Sequence, residues 1–335
     1  MDNNKKNGFE WFASGNAPVL FPTELVTGGF LFEDLTKVDI PESCPFGTIW
    51  GKPVSMHILP NNHHPAPKFI LIIWFSIVES KFYTVANELP TEIIESLLAE
   101  KNEKTNEPKY NTLVAGMAPY GQLAIWLAGS EIITQVAWLQ GKELQAEMQE
   151  FFPESKLSKE EYAKEMLAEC RAAYDNFKKN GLPNTILFEK YMQKFNYKIT
   201  SKFENAQFEN IEIDYYNGET NTLHTGEHAT SAMRAKPYKI ILTWNVGKKQ
   251  YAGYFWMDAQ KITEIFANHY NNDSEKEVNL IIEVKESNKQ FKFFLQDDTK
   301  MTEIPEEDLQ VIVFKNKFEF FRSKNYNKPP QGWRN

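Results

Sequence analysis

Cysteine is scarce in this sequence, which contains only Cys44 and Cys170 among its 335 residues. Two isolated thiols form neither a disulfide framework nor a zinc knuckle, and they are typical of proteins kept in a reducing compartment. Residues 1–12 include no apolar segment of the kind found in signal peptides and no cysteine that could carry a lipid. These absences predict a cytoplasmic protein.

Long hydrophobic runs and an excess of positive charge are also missing. The unbroken apolar run at 69–75 is far shorter than the ~20 residues that a membrane span requires, so we expect no membrane insertion. The net charge is −8, and the sequence shows no local basic stripe. We therefore expect no nucleic-acid partner, since phosphate backbones repel such a chain. A basic protein partner is electrostatically favoured instead.

Catalytic signatures are absent as well. No G-x-S-x-G nucleophile elbow occurs, and no glycine-rich turn joins a predicted strand to a helix. The segment GTIWGK at 47–52 resembles a phosphate-binding loop only superficially, because three residues separate its glycines and Pro53 follows the lysine. The sequence accordingly predicts no catalytic residues and no cofactor, and it favours a binding protein over an enzyme.

Aromatic residues, in contrast, are abundant and make up 14% of the chain. The most organised segment is PKFILIIWFSIVESKFY at 67–83, in which a short run rich in Ile and aromatics precedes a polar turn. Such a run predicts a β-strand that is buried on both faces. Aromatic-rich chains build large cores, and the same residues are favoured at contact surfaces.

The segments that follow predict an α+β fold. Leu89-Pro90-Thr91-Glu92 has the residues of a helix start, and Pro119-Tyr120-Gly121 has those of a hairpin turn. Residues 141–196 are charged and rich in helix formers, which predicts a helical insert. Within it, a capping box at Ser158 predicts one helix that Gly181 ends.

The segment 237–255 repeats features of 67–83. Trp244 stands where the earlier segment has Trp74, a tyrosine follows a polar turn in both, and a helix is predicted after each. We therefore predict two related, mostly antiparallel β-sheet halves, each with a packed helix. The predicted boundaries are 9–140 for the N-terminal α+β half, 141–196 for the insert, 197–324 for the C-terminal α+β half and 325–335 for a loose tail.

Ionisable residues cluster in one predicted loop, 219–235. His224 and His228 are spaced so that they could share a metal ion on a helix, with Glu227 beside them. Gly226 favours a loop instead, and the HExxH order of zinc hydrolases is absent, so we predict no metal site. A hydrolase or a small-molecule-binding protein that uses this loop is the alternative to a protein-binding function.

Candidate contact residues for a protein partner are the charged groups of that loop, an aromatic run after the second apolar strand, and an acidic cluster near the C-terminus. The acidic cluster could meet a basic partner, although a solvated face is the simpler interpretation. The residues are His224, Glu227, His228, Arg234, Trp256, Glu306, Glu307 and Asp308. The sequence assigns no oligomeric state.

Several longer motifs stand out: WFSIVESKFY, ELPTEII and LVAGMAPYGQLAIWLAG in the first half, then LFEKYMQKFNYKI, NGET and RAKPYKIILTW. They resemble the DUF2931 family, a bacterial family named for its unknown function, and in particular its longer, Bacteroidetes-type members. The likeness covers most of residues 9–270. It implies no catalytic residues.

The resemblance does imply a partner. Some lipoprotein members are similar to proteins encoded beside secreted toxins, such as type VI lipase effectors, which implies an immunity role. This sequence shows neither the signal nor the lipid-attachment cysteine of those members. We therefore expect a non-enzymatic, cytoplasmic immunity protein or effector-associated partner, whose toxin acts in the cytoplasm or is neutralised before export.

Overall fold

The structure is a computed structural model that describes residues 8–42, 47–57, 62–227, 230–285, 288–316 and 319–324. The chain divides into two compact units, the first ending at Leu187 and the second beginning at Phe188. Both are built mainly of antiparallel β-sheet with a few helices, which confirms the predicted α+β class in its general form. None of the described helices is both long enough and apolar enough to cross a membrane.

Among its described residues, the first unit contains eleven strands and four helices that lie wholly within it. The strands are β1 Phe9–Glu10, β2 Phe12–Asn16, β3 Thr23–Leu31, β4 Lys37–Asp39, β5 His63–His64, β6 Phe69–Ser76, β7 Lys81–Glu88, β8 Thr112–Met117, β9 Gln122–Ala128, β10 Ile132–Gln140 and β11 Lys142–Leu144. The helices are α1 Thr91–Leu98, α2 Met148–Phe151, α3 Lys159–Glu169 and α4 Arg171–Asn180.

Two sheets organise the first unit. One has the order β11-β7-β6-β3-β4, and the other places β2, β8, β9 and β10 side by side in that order. Strand β2 is parallel to β8, whereas the other pairs in both sheets are antiparallel. The hairpin predicted around Pro119-Tyr120-Gly121 is confirmed, because β8 and β9 pair across it and Tyr120 adopts the left-handed φ of 63°.

The core of the first unit lies where these two sheets and α1 meet. It includes Ile72 and Trp74 from the first sheet, Leu113 and Ile125 from the second, and Ile94 from α1. The helix begins after Pro90, as predicted, and it packs against this core through Ile94 and Leu98, whereas Ile93 is 54% exposed.

Helices α2, α3 and α4 form a separate apolar cluster with one end of the first sheet. Phe75 and Phe82 lie beneath them. The capping box at Ser158 is present, but the single helix predicted from it is wrong, because the backbone at Cys170 (φ −89°, ψ 71°) separates α3 from α4. The spacing of apolar residues continues through this break, so periodicity alone does not detect it.

In the part of the second unit that the structure describes there are eleven strands and two helices. The first of these helices begins at the last residue of the first unit. These elements are α5 Leu187–Met192, β12 Lys194–Phe203, β13 Gln207–Tyr215, β14 Thr220–His224, β15 Ala232–Ala235, β16 Pro237–Val246, β17 Lys249–Met257, α6 Ala259–Tyr270, β18 Val278–Lys285, β19 Gln290–Gln296, β20 Met301–Ile304, β21 Leu309–Lys315 and β22 Glu319–Lys324.

Two sheets organise this unit as well. Within it, β14, β13, β16, β17, β21 and β22 are neighbours in that order, and the second sheet has the order β15-β12-β18-β19-β20. Strand β12 is parallel to β18. The core contains Trp244 and Phe255 from the first sheet, Phe293 from the second, and Phe266 from α6. The Asp258 carboxylate caps that helix by accepting hydrogen bonds from two backbone N–H groups.

The continuous loop predicted at 219–235 is wrong, because it contains β14 and β15. A tight turn at Gly218, whose φ is 84°, reverses the chain so that β14 pairs with β13. Strand β15 pairs with β12 in the other sheet. Strand β14 is mostly polar and β15 has only four residues, so neither shows the alternating apolar pattern on which the prediction was based.

Candidate interaction surface

The outer face of β6 carries exposed apolar side chains in the first unit. Its side chains alternate, so that Ile70, Ile72 and Trp74 are buried in the core. Phe75 points the other way and is covered by the helical cluster, but Leu71 on the same face is 43% exposed. The prediction that this strand is buried on both faces is therefore wrong around Leu71, where the helices do not cover the outer face.

The strands beside β6 extend this apolar region. Leu71 lies directly opposite Gly29 on β3 and Ala86 on β7, and Phe69 lies opposite Leu31. Residues directly opposite each other in a sheet share a face. We call this region the open sheet face and define it by Leu31, Phe69, Leu71, Ile73 and Ala86, all of which are partly or fully exposed.

Charged side chains surround the open sheet face. Lys68 lies 5.6 Å from the centroid of the Phe69 ring and 3.4 Å from the Glu33 carboxylate. Strand β4 contributes the ion pair of Lys37 and Asp39, and Glu88 lies across from Phe69 on β7. An apolar centre with a polar, charged rim is the usual composition of a protein–protein contact surface. The rim carries one more acidic than basic group.

Residues that the sequence proposed as contacts near 219–235 have local structural roles. The Glu227 carboxylate accepts a hydrogen bond from the backbone N–H of His224 at 2.8 Å, which closes its own turn. Arg234 donates to the backbone carbonyls of Tyr197 and Thr230, and its guanidinium lies 5.9 Å from the Tyr197 ring. His228 lies outside the described residues.

Trp256 is not at the surface, contrary to the prediction that its ring is a contact. Only 3% of its area is exposed, and its ring stacks on Tyr254 at 5.9 Å. The side chains at both positions point to the face of the sheet opposite the core, which explains why the sequence suggested an outward ring. The packing there buries the ring.

The acidic cluster Glu306–Asp308 forms a single 3₁₀ turn between β20 and β21, and none of its residues is buried. Arg234 is on β15, at the opposite edge of the second sheet from β20. The structure therefore does not bring the proposed contact residues together into one site. In the part of the chain that the structure describes, no three His, Cys, Asp or Glu side chains are grouped so that they could hold a metal ion.

These features define a class: a β-rich α+β protein whose first unit presents an open apolar sheet face framed by charges. The chain belongs to the DUF2931 family, because the model of that family, described as a protein of unknown function, matches residues 1–184. The predicted family is thus confirmed, and the match ends close to the end of the first unit. No curated protein and no solved structure matches the chain.

The open sheet face lies entirely within the matched residues, and sequence reasoning missed it. A signal for it was present, because the alternation of β6 places Phe69, Leu71, Ile73 and Phe75 on one face. How much of this face of β6 the helical cluster covers depends on the packing of distant segments, and the alternation of apolar residues does not predict it.

Proposed function

We propose that this chain is a non-enzymatic binding protein that takes a protein partner on the open sheet face. The single observation that carries the proposal is the exposed Leu71 at the centre of an apolar, five-residue region. A solvated sheet face ordinarily carries polar side chains. Contiguous exposed apolar surface with a polar rim is typical of sites that another protein covers.

The charge of the chain favours a basic partner. The rim of the open sheet face is acidic by one charge, and the whole chain has a net charge of −8. Long-range attraction of this kind accelerates association, while the apolar centre supplies most of the affinity. A suitable partner would present apolar side chains within a ring of lysine or arginine residues.

The biological form that we propose for this role is that of a cytoplasmic immunity protein, or effector-associated partner, for a secreted toxin of the type VI kind. Support comes from the resemblance of the chain to family members encoded beside such toxins. A protein in this role would bind its partner on the open sheet face by contact alone, with no chemical step.

A binding measurement with two matched variants tests the proposal. Leu71→Asp places a charge at the centre of the open sheet face, and Leu182→Asp makes the same change at another site in the first unit that is also 43% exposed. The toxin encoded beside the gene is co-expressed with each variant, and the dissociation constant of the purified pair is measured.

We expect Leu71→Asp to weaken binding by about 2–4 kcal/mol, or roughly 30-fold to 1,000-fold, as at other interface centres. Leu182→Asp is expected to bind as the unmodified chain does. Equal binding by both variants would show that the open sheet face is not the contact. Unaltered toxicity on co-expression would refute the immunity form.

We also infer that the two units are related halves with one architecture. In each unit, an early strand of at least five residues pairs in parallel with the first strand after the helix. These pairs are β2 with β8 in the first unit and β12 with β18 in the second. Strand β6 lies between β3 and β7 in the first unit, and β16 lies between β13 and β17 in the second. Helices α1 and α6 follow the corresponding hairpins.

A pair of aromatic residues supports the same inference. Trp74 lies directly opposite Tyr83, and Trp244 lies directly opposite Tyr251. The ring centroids are 5.7 Å apart in the first pair and 5.7 Å apart in the second. An experimental structure of the chain tests this inference, since unlike sheet orders in the two units would refute it.

A further inference from the structure

The turn end of the second unit contains a cleft of about 630 Å³. Connections that are far apart in the sequence meet around it: the β12–β13, β16–β17 and β18–β19 turns and the end of β21. Volumes of several hundred cubic ångströms are typical of small-molecule sites. The charged side chains that line this lysine cleft are Lys248, Lys249, Lys285, Lys289, Lys315 and Glu204.

Five lysines and one glutamate are an unusual set in a chain with a net charge of −8. Lys285 pairs with Glu283 at 2.9 Å, and Lys315 pairs with Glu319 at 3.2 Å. Lys248 and Lys249 are exposed and form no ion pair with any residue that the structure describes. Among the described residues of the lysine cleft, Lys248 and Lys249 are therefore two positive charges without a paired carboxylate.

The floor of the lysine cleft is apolar and firmly held. Tyr251 lines it, is only 7% exposed, and stacks on Trp244 with an angle of 10° between the rings. The Trp244 indole donates a 2.7 Å hydrogen bond to the side-chain oxygen of Asn288, another lining residue. Val246 completes this surface. A rigid floor of this kind reduces the entropy lost when a ligand binds.

In the first unit, the hairpin that corresponds to β16–β17 is β6–β7, and a carboxylate is bound at its turn. There the Glu79 carboxylate lies in the β6–β7 turn and accepts hydrogen bonds from the Tyr83 hydroxyl at 2.9 Å and the Ser76 hydroxyl at 2.7 Å. It also accepts from the backbone N–H of Tyr120, in the β8–β9 turn, at 3.0 Å. One carboxylate thus joins two neighbouring turns.

The second unit has lysines where the first has this carboxylate. Lys248 lies in the β16–β17 turn and Lys249 is the first residue of β17, and Tyr251 on β17 has the position relative to its tryptophan that Tyr83 has on β7. No carboxylate of the β16–β17 turn can join it to the β18–β19 turn, because its residues are Gly247 and Lys248. The positive charge of the cleft suits an oxyanion supplied from outside.

We infer that the lysine cleft binds a small organic anion through phosphate or carboxylate oxygens, with an apolar part of the ligand against Tyr251 and Val246. Ammonium groups bind such oxygens by charge-assisted hydrogen bonds, which are stronger than neutral ones. This site is in the second unit, and it is independent of the partner surface proposed for the first. Either proposal can fail without the other.

Calorimetric titration of the full chain with four probes tests the inference. Pyrophosphate and citrate distinguish a phosphate source from a carboxylate source, and phenyl phosphate is compared with inorganic phosphate to test the apolar floor. The variant Lys248→Glu/Lys249→Glu reverses the two unpaired charges. Its control, Lys156→Glu/Lys164→Glu, makes the same change in net charge at exposed lysines of the first unit.

We expect pyrophosphate, citrate or both to bind the unmodified chain and the control equally, and phenyl phosphate to bind more tightly than inorganic phosphate. Binding to Lys248→Glu/Lys249→Glu should be at least about tenfold weaker. If that variant does not fold, Lys248→Gln/Lys249→Gln is measured with the same expected direction. No binding of any probe, or an equal loss in the control, would overturn the inference.

Discussion

The Glu79 carboxylate offers the sharpest test of how the first unit is held together. Replacement by alanine removes the acceptor of three hydrogen bonds, from Ser76, Tyr83 and the backbone of Tyr120. Hydrogen bonds to a charged group contribute about 1.5–3 kcal/mol each. Glu79 is only half-buried, so water can replace some of these hydrogen bonds in the variant. We therefore expect Glu79→Ala to lower the stability of the two turns by about 3 kcal/mol.

Hydrogen–deuterium exchange measures this cost locally. A loss of about 3 kcal/mol raises the exchange of the β6–β7 and β8–β9 backbone roughly a hundredfold, where exchange follows the opening equilibrium. The matched control is Glu143→Ala, since that carboxylate also accepts two hydrogen bonds, from Lys81 at 2.7 Å and Gln145 at 2.9 Å, but is exposed. Surface pairs of this kind contribute only ~0–1 kcal/mol.

Faster exchange in both hairpins after Glu79→Ala, with little change after Glu143→Ala, would agree with this reasoning. If the two variants change exchange equally, or if only the β6–β7 turn responds, then Glu79 does not join the two turns. The comparison with the lysine cleft would lose its basis in that case, although the lysines themselves would still line the cleft.

Three further predictions concern single residues, two of them buried. Burial lowers the pKa of Lys236 to about 8, so the unfolded chain binds more protons than the folded chain between pH 8 and 10.5. The free energy of unfolding should therefore rise between these pH values, and Lys236→Met should make that rise smaller. Burial also lowers the pKa of His269 to about 4, so stability should fall as the pH drops from about 6.5 to about 4, and His269→Gln should reduce that fall. A Cβ at Gly129 would lie 1.7 Å from the Lys109 carbonyl oxygen, so Gly129→Ala should lower the thermal midpoint strongly, whereas Gly8→Ala, with 3.5 Å contacts, should not.

Short-range features of the fold were predictable because their signals are local. Pro119-Tyr120-Gly121 predicted a turn that the structure contains, and Pro90 predicted the start of α1. The spacing of Trp74 and Tyr83 around a polar turn indicated a strand pair, and these two residues are direct cross-strand neighbours. Each of these inferences depends on residues that lie close together in the chain.

The candidate sites were not predictable, because they depend on which distant segments meet. Leu71 belongs to an apolar run that reads as fully buried, and its exposure follows from where the α2–α4 cluster ends. Lys248, Lys285 and Lys315 are widely separated in the sequence, and only the folding of the second unit collects them. A search for a local basic stripe could not find them. The prediction for Trp256 erred in the opposite way, because its ring was proposed as a surface contact and the packing buries it.

The two units differ at the places where function is proposed, and this difference separates the two proposals experimentally. In the first unit, Glu79 joins the turns internally, and the exposed feature is the open sheet face around Leu71. In the second, the turn end is a cleft with unpaired positive charge at Lys248 and Lys249. The family match ends at residue 184, so it includes the open sheet face and excludes the lysine cleft. In our proposals, partner binding is therefore a property of the unit that the family model matches, and anion binding is a property of the second unit alone. Leu71→Asp should weaken partner binding and leave anion binding unaltered, and Lys248→Glu/Lys249→Glu should do the reverse.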